Sequence, residues 1–140
     1  MKGFLLDTNI PSELTRPHPQ SSVLRWLENA NDEELYLSVI SLGEILKGIT
    51  ALPGSKRRRD LEKWLHESLR PWFEGRILAI DEPVAERRGI FAGQCKSKGR
   101  PLNVVDGLIA ATALVHDLTV VTRNVRDFEG LGVELLNPWD

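Results

Sequence analysis

The sequence predicts an α/β fold, a single domain built on a mostly parallel sheet of about five strands with helices on both faces. Three observations predict it. Strand-like and helix-like patterns alternate along the whole chain, the order that builds parallel sheets through helical crossovers. No linker, repeat or low-complexity stretch divides the 140 residues, so residues 1–140 read as one domain with enough chain to bury a normal core. Residues 104–115, "VVDGLIAATALV", are apolar on nearly every face, as a helix buried against a sheet must be.

The elements follow in order. Residues 3–6, "GFLL", form the first strand, and Pro11 suits an early helical position after it, with Thr8 or Asn9 as the cap. Residues 21–28 carry Leu24 and Leu27 at helical spacing. Residues 35–39 are rich in strand formers, and a helix then starts at Ser41 and runs to about Ile49. In the next helix Leu61, Trp64, Leu65, Leu69 and Trp72 recur at helical spacing, and Pro71 is expected to end or bend it. Residues 76–80 read as a strand. Asp81 caps the following helix, with Pro83 near its start and Gly99 and Pro101 beyond its end. After the apolar helix, residues 119–122 and 133–136 complete the strands.

Composition narrows the function classes. Hydrophobic residues at 41% and charged residues at 27% suit a soluble globular chain rather than a disordered one. A formal charge of −2 argues against a protein whose whole surface grips nucleic acid, while leaving room for local basic patches. Cys95 is the single cysteine, so no disulfide forms within the chain and a reducing compartment is the default. The first apolar run is too short for a signal sequence, and no run approaches a membrane span. A cytoplasmic protein is expected, with no membrane partner.

In a parallel sheet, ligands bind beyond the carboxyl ends of the strands. Asp7 directly follows the first strand at that edge, although an acid is costly to remove from water. Asn124 follows the strand at 119–122. Glu44 sits in "SLGEILKGI" near a helix start, and Asp106 heads the apolar helix. Each acid has a simple structural account. Ser41 and Glu44 fit the capping box, Asn103 and Asp106 resemble the same device, and Asp7 could cap the turn after its strand. Together these accounts weaken. Three acids gathered at one sheet edge repel each other unless a cation neutralises them. Carboxylates without His or Cys favour Mg²⁺ or Mn²⁺ over Zn²⁺, and such sites serve phosphoryl transfer.

"LLDTN", "SLGEILKGI", "VVDGLIAATA" and "VTRNVRDF", in this order, resemble the PIN-domain ribonucleases, and more closely the VapC-type toxins of bacterial toxin–antitoxin pairs. The resemblance reaches the closing "LLNPWD". It implies an α/β fold, Mg²⁺-dependent endoribonuclease activity on RNA, and a cognate antitoxin that blocks the site. A homodimer or a higher toxin–antitoxin assembly is expected with it. By match to the family's motifs, Asp7, Glu44 and Asp106 would be the metal ligands. Asn9 and Thr122 would orient them through hydrogen bonds. The family's fourth acidic position falls at Asn124, a neutral oxygen ligand, which would leave a second metal weakly held or bound only with RNA. Asp127 either supplies that missing charge or is a solvent-facing turn residue, with the second slightly favoured. The implied reaction is water attack on a backbone phosphate, leaving a 5′-phosphate. One metal held by Asp7 and Asp106, with help from Glu44, would orient the water.

Other features carry less. Arg123 and Arg126 flank Asn124 and are candidates for RNA phosphate contact. "KRRR", residues 56–59, reads first as a solvated helix start. Lys96, Lys98 and Arg100 form a second basic stretch on a helix end. His18, His66 and His116 lack metal-ligand spacing, and Cys95 reads as a small core residue. Trp26, Trp64 and Trp72 read as core or interface, with stacking on bases the lesser option, and the apolar "LGEILKGI" helix and the Trp-bearing helix are candidate dimer or antitoxin surfaces. The main alternative is a PIN-like binding module with little nuclease activity, acting with its antitoxin in a DNA-binding autoregulatory complex. Asn124 favours it. Aspartyl-phosphate enzymes and receiver domains fit poorly, because Asn9 and Arg123 stand where they need an acid and a lysine.

Overall fold

Five short strands, β1 (Phe4–Leu6), β2 (Leu35–Ser38), β3 (Ile77–Leu78), β4 (Thr119–Val121) and β5 (Leu135–Leu136), lie in the order β3-β2-β1-β4-β5, each parallel to its neighbours. The computed structural model describes residues 3–140; Met1 and Lys2, the start of the expected domain, lie outside the described residues. The helices between the strands are α1 (Asn9–Glu13), α2 (Ser21–Asn29), α3 (Val39–Thr50), α4 (Lys56–Trp64), α5 (Arg70–Trp72), α6 (Glu82–Ser97) and α7 (Val104–Val115).

The three inner strands are largely buried on both sides because helices cover both faces, and the edge strands β3 and β5 are half-buried. Alternate side chains enter different cores. Leu6, Leu37 and Val121 join one core with Val23, Ile45, Leu65 and Phe73. Leu5 and Val120 join the other, with Phe91, Ile109 and Ala110. At the start of β1, Gly3 is required by space: a Cβ there would stand 2.9 Å from the Glu34 carbonyl oxygen.

Two local expectations need correction. The helix expected from Ser41 begins earlier, at Val39, because the Ser38 side chain accepts from the Ile40 N–H at 3.1 Å and caps it. Ser41 is therefore inside α3 and forms no capping box with Glu44. The helix expected to end or bend at Pro71 does end there, at Trp72, after running from α4 through an unexpected π-helical turn (Leu65–Leu69) into α5. The wider π turn relieves the clash between a proline ring and the carbonyl four residues back. Strands expected over 76–80 and 133–136 shrink to two residues each, for they are the sheet's edges and pair on one side only.

The α7 expectation holds at its centre. Gly107, Ile109 and Ala110–Ala113 are buried, whereas Val104, Leu114 and Val115 reach solvent at its ends. Asp81 caps α6 as expected, accepting from the Val84 N–H at 3.2 Å.

Candidate functional site at the carboxyl edge of the sheet

Because every strand runs the same way, the chain leaves β1, β2 and β4 at one edge. Asp7 comes immediately after β1, and its own N–H extends the ladder to the Val121 carbonyl at 2.9 Å. Asp7 as a whole is only 7% exposed. One carboxylate oxygen accepts from the Thr8 N–H at 2.8 Å, and the other accepts from the Thr122 hydroxyl at 2.8 Å. Thr122 follows β4, and its Oγ1 in turn accepts from the Asn124 N–H at 3.0 Å and the Asn9 side-chain amide at 3.4 Å. One hydroxyl thus ties the ends of the two central strands to the start of α1. Thr8 adds a link to α3, donating to the Ser41 hydroxyl at 3.2 Å.

Glu44 and Asp106 arrive from helices. Glu44 lies in the second turn of α3 with its carboxylate 4.0 Å from the Lys47 ammonium, a loose surface pair of little energetic worth. Asp106 lies in the first turn of α7, where the Asn103 side chain caps the Val105 and Asp106 N–H groups at 2.9 and 3.2 Å.

Asp7, Glu44, Asp106 and Asn124 all line one open cavity of about 370 Å³, together with Thr8, Asn9, Ser12 and Val105. Asp127 and Arg126 do not. They sit on the exposed turn after Asn124 and line a neighbouring cavity of about 240 Å³, which also touches Asp106. Arg123 points elsewhere: its guanidinium lies over the Trp139 ring, 5.5 Å from the centroid. His18, His66 and His116 are exposed and line none of these cavities, and Cys95 is half-buried at the second cavity.

The field at this edge disfavours negative charge. Burial is the main cause that raises the Asp7 pKa, against the lowering effect of the Thr122 and Thr8 hydrogen bonds; Asp127 adds a smaller upward push. Asp106 is raised to about 6, first by burial and then by repulsion from Asp7 and Asp127. Asp127 is therefore felt electrostatically by both acids although it stands outside their cavity.

The donors are all oxygen, which suits a hard divalent cation. Among the described residues no three His, Cys, Asp or Glu groups stand close enough together to hold an ion on their own. That spacing still fits Mg²⁺, which keeps several waters and takes only one or two carboxylates. The Asn9 side-chain oxygen adds a second sign, being buried at the cavity with no hydrogen-bond partner among the described residues.

Sequence reasoning missed Thr8, Ser12 and Ser41 as site residues. Their only signal was a run of hydroxyls at strand-to-helix junctions, which capping explains equally well. A largely apolar groove of about 180 Å³ lies between α1 and the two helices, α3 and α4, that the sequence marks as candidate dimer or antitoxin surfaces. Ile45, Ile49, Leu61 and Trp64 line this groove, and it shares Thr8, Ser12 and Glu44 with the acidic cavity.

Comparison with known proteins gives a consistent picture. The family model for the PIN domain matches residues 4–133. Toxin FitB of Neisseria gonorrhoeae is 42% identical over 136 residues, covering 97% of this chain and 98% of that protein. VapC ribonuclease Y4jK of Sinorhizobium fredii is 37% identical over 137 residues, covering 98% of each. Among solved structures, that of FitAB bound to an IR36 DNA fragment superposes with a TM-score of 0.92 at 39% identity, covering 98% of this chain and 96% of that one.

Proposed function

Because this chain belongs to the PIN-domain family, we propose that it is the toxin of a toxin–antitoxin pair, a divalent-metal-dependent endoribonuclease. The observation that carries the reading is the meeting of Asp7, Glu44, Asp106 and Asn124, from four separate segments, on one cavity at the sheet edge. Asp7 and Asp106 are assigned as cation ligands, with Glu44 acting through water and Asn124 as a neutral oxygen donor. Mg²⁺ is the ion we assign, with Mn²⁺ as a substitute. Bound there, it would polarise the scissile phosphate and acidify the attacking water.

The chain's own residues set up that chemistry. The Thr122 hydroxyl and Thr8 N–H fix both oxygens of Asp7, so its orientation is settled before substrate arrives. Burial and repulsion leave the acids poorly compensated, which favours uptake of positive charge. The water oxygen bonds to phosphorus as the bond to the 3′ oxygen breaks. One water proton passes to the 3′ oxygen and the other to solvent, leaving a 3′-hydroxyl and a 5′-phosphate.

The apolar groove beside the acids supports an antitoxin surface, since a segment seated there would run up to Glu44. The likeness to FitAB on DNA supports assembly of this chain with an antitoxin in a DNA-bound complex. No helix among the described residues is long and apolar enough to cross a membrane, in keeping with a cytoplasmic site of action. One observation favours the second reading, a binding module of low activity: Asn124 brings no charge to the cavity. The test is cleavage of an end-labelled small-RNA pool by antitoxin-free protein with Mg²⁺, Mn²⁺ or EDTA, beside Asp7→Asn. Discrete cuts that need the cation and vanish in the variant are expected. Failure of folded wild type to cut any RNA would favour the binding module.

A further inference from the structure

The cavity on the other side of Asp106 has a different chemistry from the acidic one. Lys98 at the end of α6, Arg100 in the loop before α7 and Arg126 on the facing turn line it, and Leu102 and Leu131 supply apolar wall. Asp106 lines both cavities, so an extended chain crossing Asp106 passes from one into the other.

We propose that this second cavity is a nucleotide subsite, seating the RNA residue adjacent to the scissile phosphate and selecting its base. The inference rests on the nuclease reading. At about 240 Å³, below the roughly 300–1,000 Å³ of a drug-sized site, the cavity has room for one base with its phosphate at the rim, and none for a duplex. Lys98, Arg100 and Arg126 meet backbone phosphate, and Leu102 and Leu131 meet the flat face of the base. Single-stranded RNA can splay out a base in this way.

The walls are held in place before any ligand arrives. The Arg100 N–H bonds the Cys95 carbonyl at 2.9 Å, and the Gly99 N–H bonds that of Lys96 at 3.0 Å, with Gly99 in the left-handed region at φ 70°. Leu102 is seated where Gly107 lacks a side chain, 3.0 Å from where a Cβ would be. The opposite wall is braced by the Asp127 N–H on the Asn124 carbonyl at 3.0 Å. That wall also carries the carboxylates of Asp127 and Glu129. Carboxylates only accept hydrogen bonds, so two of them favour bases with the paired hydrogens of an exocyclic amine over uracil, whose one donor on its pairing edge is N3–H.

Two measurements on the full chain test this. The first is a titration with AMP, CMP, GMP and UMP in EDTA, followed by backbone amide shifts. Shifts confined to residues 95–103 and 126–131, weakest for UMP, are expected. Shifts absent there, or equal for all four nucleotides, would overturn the subsite whether or not the protein cleaves RNA. The second is cleavage kinetics of Arg100→Ala, whose exposed side chain leaves the core untouched. KM is expected to rise about tenfold with kcat little changed, to recover in Arg100→Lys, and to lose about one unit of salt-dependence slope. Glu129→Gln is expected to relax the discrimination against uridine at one position beside the cut. Wild-type cleavage with unaltered KM and base preference in these variants would contradict the subsite and leave the nuclease reading intact. Loss of all wild-type cleavage, with the nucleotide shifts retained, would do the reverse.

Discussion

The Thr122 hydroxyl donates to Asp7 while accepting from the Asn124 N–H and the Asn9 amide, so it is fully used. Thr122→Val keeps the shape and deletes those bonds, leaving a buried carboxylate oxygen without a donor. Stability is expected to fall by about 1–3 kcal/mol in urea unfolding at pH 7, and Thr122→Ser to restore most of it. Asp106 makes a prediction of opposite kind. Its native pKa of about 6 lies above the ordinary 3.8, so between those values the native state holds more proton than the unfolded one. Its contribution therefore favours folding at low pH and is lost as pH rises from about 4 to about 6. The full shift would be worth about 3 kcal/mol, cut to about 1 by the solvent reaching this half-buried group. Urea unfolding across that range in EDTA should show a stability slope against pH that is more negative in wild type than in Asp106→Asn. At this scale the meeting of Asp7, Glu44 and Asp106 at one cavity was legible because acids beside apolar runs are conspicuous, and that of Asn124 because it follows a strand at the same edge. The Thr8–Ser41 link was not, since a hydroxyl's distant partner leaves no local trace.

Among the elements, α3 shows where local patterns are ambiguous. Ser38 and Ser41 are both followed by helix-compatible sequence, and Val39 and Ile40 read as strand by β-branching. The chain leaves the sheet at Ser38, so Ser38 caps the helix and Ser41 turns to Thr8. Ser38→Ala should therefore cost about 1 kcal/mol in urea unfolding, through the cap, while a capping box at Ser41 would leave it nearly neutral. The π turn before Pro71 escaped the sequence for a related reason. Helical spacing of Leu61, Leu65, Leu69 and Trp72 continues on both sides of it, and periodicity does not register one inserted residue. By contrast α7 was bounded correctly, because Asn103 offers its side chain to two N–H groups and an apolar run follows directly.

For the whole molecule, topology does what no single motif does. A central β1 flanked by β2 and β4, all parallel, delivers Asp7, the start of α3 and Thr122 to one edge, and α7 packs back to add Asp106. Alternation of strand and helix patterns made that architecture readable, whereas the division of the edge into an acidic and a basic-rimmed cavity depends on loop geometry that has no sequence period. The central claim is that acids from separate elements jointly take up a divalent cation at this edge. Calorimetric titration of the full chain with Mn²⁺ tests it most directly, comparing wild type with Asp7→Asn and Asp106→Asn. The account predicts uptake by wild type and a loss of at least about tenfold in affinity in each variant. Equal Mn²⁺ uptake by wild type and both folded variants would contradict it.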